Sequence, residues 1–465
     1  MHTEFLSSVK NEFPADFISS EKNDLEFYGR DWTLEFPANP SAILFPRNTA
    51  EVSKILSLCT EYKISVVPSG GRTGLSGGAV AANREFVLSL SRMNKIGKVC
   101  TLSRTLVVEA GAVTEAVHEH CKPYGLTWPV DFASKGSSQV GGNISTNAGG
   151  VNVIRHGNTR NWVLGLEVVT MQGTVLNLGG ALEKNNSGID LRQLFIGSEG
   201  ILGVITGATL KLASLHRSPR TFFFGMKDLA SVFQLCRFTR ESPLDLLAYE
   251  TFDQGCFAAS CQKMGIADPF PARHPWYVLV EAEATPALDE WLANALEQGF
   301  AEDGLETQSS EETRRIWKIR ESIAESLGMI APYHKNDVSV PVARLEGFLS
   351  EYQKFFQTTF RDLAPYTFGH IGDGNLHINT LNTGKLSESI FQSRVKEFDE
   401  ALYALVKTHG GTISGEHGVG MLKKNHLYYT RSPEEIRLMR EIKKVMDPLG
   451  LLNPGKVVPS PTVLE

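Results

Sequence analysis

Directly behind a short β-like run, residues 67–78 read Val-Pro-Ser-Gly-Gly-Arg-Thr-Gly-Leu-Ser-Gly-Gly, five glycines in the nine positions from Gly70 to Gly78. Glycine in a helix or strand interior costs roughly 0.5–1 kcal/mol relative to alanine, so this stretch predicts a loop. Backbone N–H groups freed of side chains can form a nest around an anion such as a diphosphate. No Gly-Lys-Ser/Thr follows, and there is no Gly-x-Gly-x-x-Gly with an acidic residue about 20 positions on, so neither common nucleotide fingerprint fits. A plain tight turn is the competing reading.

A second loop, from Pro129 to Gly150, combines small residues with hydroxyl and amide groups, among them Ser137, Asn143, Ser145 and Thr146. That inventory suits a diphosphate and a ribityl chain, with a structural Ω-loop as the alternative. A third stretch, Phe195-Ile-Gly-Ser-Glu-Gly-Ile-Leu-Gly-Val-Ile-Thr206, reads as a tight turn into a strand whose backbone could hydrogen-bond the edge of an aromatic ring.

Around these loops the chain organises into an α+β protein. Its 465 residues exceed what one hydrophobic core fills, so two or three domains are expected. From Ser41 to about Leu212, strand-like runs (64–67, 86–90, 106–108, 163–169) alternate with amphipathic stretches. One of these, Thr49 to Tyr62, has helical spacing with Thr49 placed to cap it. Residues 214–219 shift to His, Arg, Ser and Pro and read as a linker. Beyond it, strands at 221–224, 276–282, 337–340 and 374–379 are interleaved with helices at 287–298, 312–327 and 345–360. These suggest a second α+β domain on an antiparallel sheet, with C-terminal helices at 389–409 and 433–446.

Net charge is −6, which gives no global attraction to nucleic acid or anionic lipid. The six cysteines contain no Cys-x-x-Cys pair, and neither a signal peptide nor an apolar run of about 18 residues is evident. The expected setting is reducing and cytoplasmic, with peripheral membrane attachment left open.

Phe368-Gly-His-Ile-Gly-Asp-Gly-Asn-Leu-His-Ile-Asn379 places two imidazoles about an Asp-Gly turn signal. With Asp373-Gly374 as a two-residue turn, Gly372 pairs with Asn375 and His370 falls opposite His377, close enough for both to meet one divalent ion. Gly415-Glu416-His417-Gly418 downstream adds a carboxylate and a third imidazole, and the whole reads as a metal and proton-transfer site.

PSGGRTGLSGG, GGNISTNAGG, GSEGILGVIT, HIGDGNLH, GEHGVG and DPLGLLNPGK, in that order, resemble the FAD-linked D-2-hydroxyacid dehydrogenases of the vanillyl-alcohol oxidase flavoprotein superfamily. D-lactate dehydrogenase, the glycolate oxidase catalytic subunit and D-2-hydroxyglutarate dehydrogenase are the members resembled, over about residues 36–458. The resemblance implies an FAD-binding domain of two α+β subdomains over 36–214. A substrate and metal domain then covers 220–460, its C-terminal helices returning to the first.

By the same resemblance FAD is held, noncovalently, by Pro68, Ser69, Gly70, Gly71, Arg72, Thr73, Gly74, Gly77 and Gly78. The second loop contributes Pro129, Asp131, Gly136, Ser137, Gly141, Gly142, Asn143, Ser145 and Thr146, and Gly203, Ile205 and Asn453 complete the set. His370, His377 and Glu416 are implied as ligands of a divalent metal, zinc first and manganese or iron as alternatives, with His417 as the base. Arg320, Lys335 and Asn379 are implied around the substrate.

The implied reaction oxidises a D-2-hydroxy acid to a 2-oxo acid, with D-lactate, D-2-hydroxyglutarate, glycolate and larger 2-hydroxy acids all open. Ala324 stands where the hydroxyglutarate branch carries a threonine. The electron acceptor (quinone, cytochrome or electron-transfer flavoprotein), a redox-complex or membrane association and a homodimer are also left open. A non-redox flavin-dependent alkyl transferase is disfavoured because no run of adjacent histidines is present, and an electron-relay subunit because the metal and base motifs are complete.

Overall fold

The computed structural model describes residues 2–33, 35–216, 218–384 and 386–460. It divides into two compact units. The first comprises the described residues up to Gly150, His156–Leu215 and those from Glu416 onward; the second comprises Val151–Arg155 and His216–Gly415.

In the first unit, strands β1 (Ile18–Ser19), β2 (Ala42–Leu44), β3 (Val66–Ser69) and β4 (Phe86–Ser89) form a sheet in the order β1-β2-β4-β3. β4 runs parallel to both β2 and β3, and the helix Thr49–Glu61 is the crossover that brings β3 back in the direction of β2. The remaining strands are β5 (Thr105–Glu109), β6 (Leu126–Thr127), β7 (Val163–Val169), β8 (Val175–Gly179), β9 (Val204–Lys211) and β10 (Ala213–Ser214). β5-β9-β7-β8 make a four-stranded antiparallel sheet, and β6 pairs with β10.

The helix Thr49–Glu61 joins these two layers. Val52, Ile55, Leu56 and Cys59 are buried, and the hydroxyls of Ser53, Ser57 and Thr60 donate to the carbonyls of Gly173, Gln172 and Met171 just beyond β7. Its cap is Asn48, whose side chain accepts from Glu51 N; Thr49, expected as the cap, sits one position later and donates its hydroxyl to Glu167. Phe5, Val9, Phe13 and Phe17 also enter this core, so the N-terminal segment as far as Phe17 belongs to it. The outer edge of β3 is closed from far along the chain: Val66 N donates to Leu451 O (2.8 Å), and Asn453 N donates to Val66 O (2.7 Å).

The second unit is built on strands β11 (Pro219–Met226), β12 (Leu246–Asp253), β13 (Trp276–Glu283), β14 (Asp303–Glu306), β15 (Tyr333–Ser339), β16 (Ala364–His370) and β17 (Asn375–Leu381). They form one seven-stranded sheet in the order β14-β11-β13-β12-β16-β17-β15, antiparallel at every pairing. One face buries Phe223, Phe252, Tyr277 and Phe368 under the helices Gln254–Met264, Ser310–Glu321 and Ile323–Ile330. On the other, Phe222 and Phe224 meet Trp291 from the helix Pro286–Glu297. The helix expected over 312–327 is broken at Ser322, whose hydroxyl is drawn to Ser260 (2.7 Å).

The register of the histidine hairpin differs from expectation. His370 pairs with Asn375, and His377 pairs with Phe368. The connection is a four-residue turn, 371–374, in which Asp373 N and Gly374 N both reach His370 O at 3.1 Å. The Asp373 carboxylate also accepts from Asn375 N (3.1 Å), and these local bonds draw Asp-Gly away from a two-residue turn. The shift is two residues, so both imidazoles keep the same face and become diagonal neighbours, ring centroids 5.7 Å apart.

Candidate active site

In the first unit the glycine loops meet. A Cβ on Gly71 would collide with Ser137 O, and one on Gly70 would touch Gln139 Oε1 (3.5 Å) and Gly142 N (3.7 Å). The first and second loops therefore lie this close at Gly71 only because its Cβ is absent. From the other side Asn453, itself in the left-handed region (φ 44°), donates through Nδ2 to Gly78 O (3.0 Å) and Glu199 O (2.8 Å). Nothing lies within 4 Å of the position of a Cβ on Gly142.

Three buried side-chain oxygens here, Ser69 Oγ, Gln139 Oε1 and Asn453 Oδ1, have no hydrogen-bond partner among the described residues. Buried polar atoms are rarely left unsatisfied, and a bound polyhydroxylated, hydrogen-bonding group such as FAD fits this inventory. Several residues of the implied set are engaged elsewhere. The Arg72 guanidinium lies over the rings of Phe27 (4.1 Å) and Tyr28 (4.7 Å), Asp131 pairs with Lys135 (2.9 Å), and Asn143 Nδ2 donates to Thr114 Oγ1 (2.6 Å). Ile205 is core, and Gly203 packs where a Cβ would meet Val168 at 2.6 Å. Gln139 and Glu199 carried no local sequence signal that separated them from their neighbours.

In the second unit the polar end of the β12-β16-β17-β15 face gathers the predicted residues. Phe368 opposes His377, Asp337 opposes His377 from β15, and Lys335 opposes Asn379, so these side chains share one face. Lys335 Nζ stands 4.7 Å from the Tyr333 ring centroid. Glu416 follows Gly415, the last residue of this unit, directly in the chain. One ligand atom each from His370, His377 and Glu416 fall within 4.8 Å of one another.

The sequence reading missed β12, and with it Glu250. Its carboxylate is fully buried, Oε1 lying 2.6 Å from His370 Nδ1 and Oε2 accepting from Arg320 Nε at 2.7 Å. Burial works to raise this carboxyl, but the facing charges of His370 and Arg320 outweigh it and hold it below the usual carboxylate range. Arg320 Nη2 also approaches Oε2 (2.7 Å) yet lacks hydrogen-bond alignment, so this buried N–H edge has no aligned acceptor among the described residues. Asp373 is pushed up to about 6, first by burial, with Glu250 and Asp337 adding to it against His370. Carboxylates crowd a pair of imidazoles, which is the donor chemistry of a divalent cation, and a carboxylate on the outer nitrogen of a ligating histidine is its usual support.

The loop carrying His417 is fixed within the first unit. Ser76 Oγ lies 2.9 Å from His417 O and 3.0 Å from Gly418 O, while the Glu199 carboxylate accepts from Val419 N (2.7 Å) and Gly420 N (2.8 Å). Gly418 leaves room for that carboxylate, since a Cβ there would stand 2.9 Å from it. Glu199 has a left-handed backbone (φ 51°) and keeps some surface, but its carboxylate is enclosed, and burial pushes its pKa up to about 7.

Residues 40–179 match the FAD binding domain family and residues 215–457 the C-terminal domain of FAD linked oxidases. A D-2-hydroxyglutarate dehydrogenase of Xanthomonas citri pv. viticola is 44% identical over 97% of this chain and 96% of its own. One from Stutzerimonas stutzeri is 42% identical over 97% and 98%, and the mitochondrial one of Arabidopsis thaliana 36% over 95% and 79%. Among solved structures, 4-ethylphenol oxidase from Gulosibacter chungangensis superposes with a TM-score of 0.76 over 100% of this chain and 98% of its own at 18% identity. An alkyldihydroxyacetonephosphate synthase gives 0.75 over 98% and 86% at 17% identity, and both likenesses concern the fold. Two family matches spanning most of the chain and relatives above 40% identity lead to one conclusion: the protein belongs to the FAD-linked D-2-hydroxyacid dehydrogenases of the vanillyl-alcohol oxidase flavoprotein superfamily.

Proposed function

We propose that this enzyme oxidises a D-2-hydroxy acid to the 2-oxo acid, with D-2-hydroxyglutarate as the first substrate and D-lactate as the second. The convergence of His370, His377 and Glu416 within 4.8 Å carries the reading, since it supplies a two-nitrogen, one-oxygen ligand set with positions left for substrate oxygens. When bound, FAD supplies the hydride acceptor and a divalent ion supplies the Lewis acidity that makes the 2-hydroxyl easier to deprotonate.

The chain's own residues do the rest. The 2-hydroxyl proton passes to an imidazole nitrogen of His417, a general-base contribution of roughly 10²- to 10⁴-fold. The Arg320 N–H groups not directed at Glu250 take a substrate carboxylate, with Lys335 as a point charge and Asn379, its cross-strand partner, as an amide. Ser69, Gln139 and Asn453 hold the cofactor through the polar atoms that now lack partners.

The choice of hydroxyglutarate rests on the printed names of the relatives at 42% and 44% identity. Ala324 offers no hydroxyl at the threonine position, and its carbonyl accepts from the Tyr333 hydroxyl (2.8 Å). Anaerobic mixing of the flavin-loaded protein with D- and L-2-hydroxyglutarate, D-lactate and glycolate tests the proposal through bleaching of the flavin band. D-2-hydroxyglutarate should bleach fastest and L-2-hydroxyglutarate not at all; absence of bleaching by D-2-hydroxyglutarate, D-lactate and glycolate alike removes the proposed activity.

A further inference from the structure

We infer that Glu250 is a positioning residue that ties the histidine at the metal site to the arginine that anchors substrate, so that one carboxylate sets both metal retention and substrate affinity. The inference rests on the proposed roles of His370 and Arg320 and adds a coupling between them. Thr251 pairs with Gly369 and Phe252 with Phe368, and continuing that ladder by one residue sets Glu250 across from His370. The two oxygens then divide the work: Oε1 faces His370 Nδ1 at 2.6 Å, and Oε2 holds Arg320 Nε at 2.7 Å.

An imidazole that donates from Nδ1 to a carboxylate keeps Nε2 unprotonated and fixed in direction, which is what an ion needs. On the other side, the Arg320 guanidinium is pinned in plane by Glu250 and by the Phe368 ring, 4.9 Å from Cζ. Glu250 is wholly withdrawn from solvent, so water cannot replace it for either partner. A buried ion pair that served only stability would move neither metal affinity nor KM in the folded enzyme.

The test uses the full-length, FAD-loaded enzyme as wild type, Glu250→Gln and His377→Ala. A glutamine keeps the volume but presents its NH₂ to one of two donors. Zinc retention against a competing chelator should therefore fall roughly 10- to 100-fold. The KM for D-2-hydroxyglutarate should rise about tenfold, while flavin content stays at the wild-type level and excess zinc with saturating substrate restores most of kcat. Zinc retention and KM both within about twofold of wild type would overturn the inference, as would a change in one without the other. His377→Ala separates the two levels: if it retains zinc, the metal reading itself falls and takes the coupling with it. If it loses zinc while Glu250→Gln does not, Glu250 alone is removed. Should Glu250→Gln fail to fold, Arg320→Lys substitutes, with reduced zinc retention expected and unchanged retention decisive against the coupling.

Discussion

At the scale of single residues, His417 and Glu199 make separable predictions. His417→Ala should bind FAD normally, because the nearby anchors run through the His417 backbone carbonyl and not its ring. Its substrate-driven flavin reduction should drop by roughly 10²- to 10⁴-fold in single-turnover mixing. Glu199 carries a pH dependence whose sign follows from a folded pKa of about 7 against an ordinary 4.5. Between these values the folded protein holds a proton that the unfolded chain has released. The group's contribution to stability is thus whole below pH 4.5 and is lost as pH rises through 7. The unfolding free energy of the cofactor-free protein, read from denaturant titrations, should fall from pH 5 to 8 by up to on the order of 3 kcal/mol from this group, and the slope should flatten in Glu199→Gln.

Among these residues, His370, His377 and Glu416 were legible because rare side chains sit in glycine-bounded motifs. Glu250 was not, because an acid between Tyr249 and Thr251 in an unassigned stretch looks like any surface glutamate. Its meaning comes from the cross-strand partner, which only the sheet order supplies.

At the scale of elements, most helices and strands followed from period and punctuation, and the errors have local physical causes. β12 escaped because its run, Leu-Leu-Ala-Tyr-Glu-Thr-Phe-Asp, is buried almost throughout and so lacks the polar alternation of a half-exposed strand. The hairpin register escaped because the Asp373 side chain competes for the turn, a contest that residue spacing alone does not decide. Gly415 shows how closely the elements are fitted. A Cβ there would meet Ser339 Oγ at 2.6 Å and Asn375 Cγ at 2.9 Å, between β15 and β17 and one residue before Glu416. Gly415→Ala should therefore shift Glu416 off the two histidines. Zinc content by elemental analysis should fall well below one per chain, with far-UV circular dichroism unchanged; full zinc occupancy in the variant would show that the site tolerates the displacement.

At the scale of the whole molecule, two units carry the two predicted chemistries, the flavin loops in one and the paired histidines in the other. If the proposed divalent ion is bound, dialysis against a strong chelator should strip it and abolish substrate-driven bleaching while the flavin absorption stays with the protein. Co-release of FAD would tie the sites more tightly than this division predicts. The linker at residues 214–219 was visible as a change in composition, and the unit boundary falls there, between Leu215 and His216. The role of the segment from Phe5 to Phe17 was not visible, because Phe5, Val9, Phe13 and Phe17 reveal their common purpose only against the helix Thr49–Glu61 and its sheet. No helix among the described residues is long and apolar enough to cross a membrane.

The edge of β3 is sealed by residues 451–453, and the same asparagine that seals it also grips the first glycine loop. A chain cut back to end before Leu451 would lack the backbone partner that closes this strand. Such a truncation should purify with a lower flavin-to-protein absorbance ratio, and an unchanged ratio would show that the first glycine loop holds without its distant clasp.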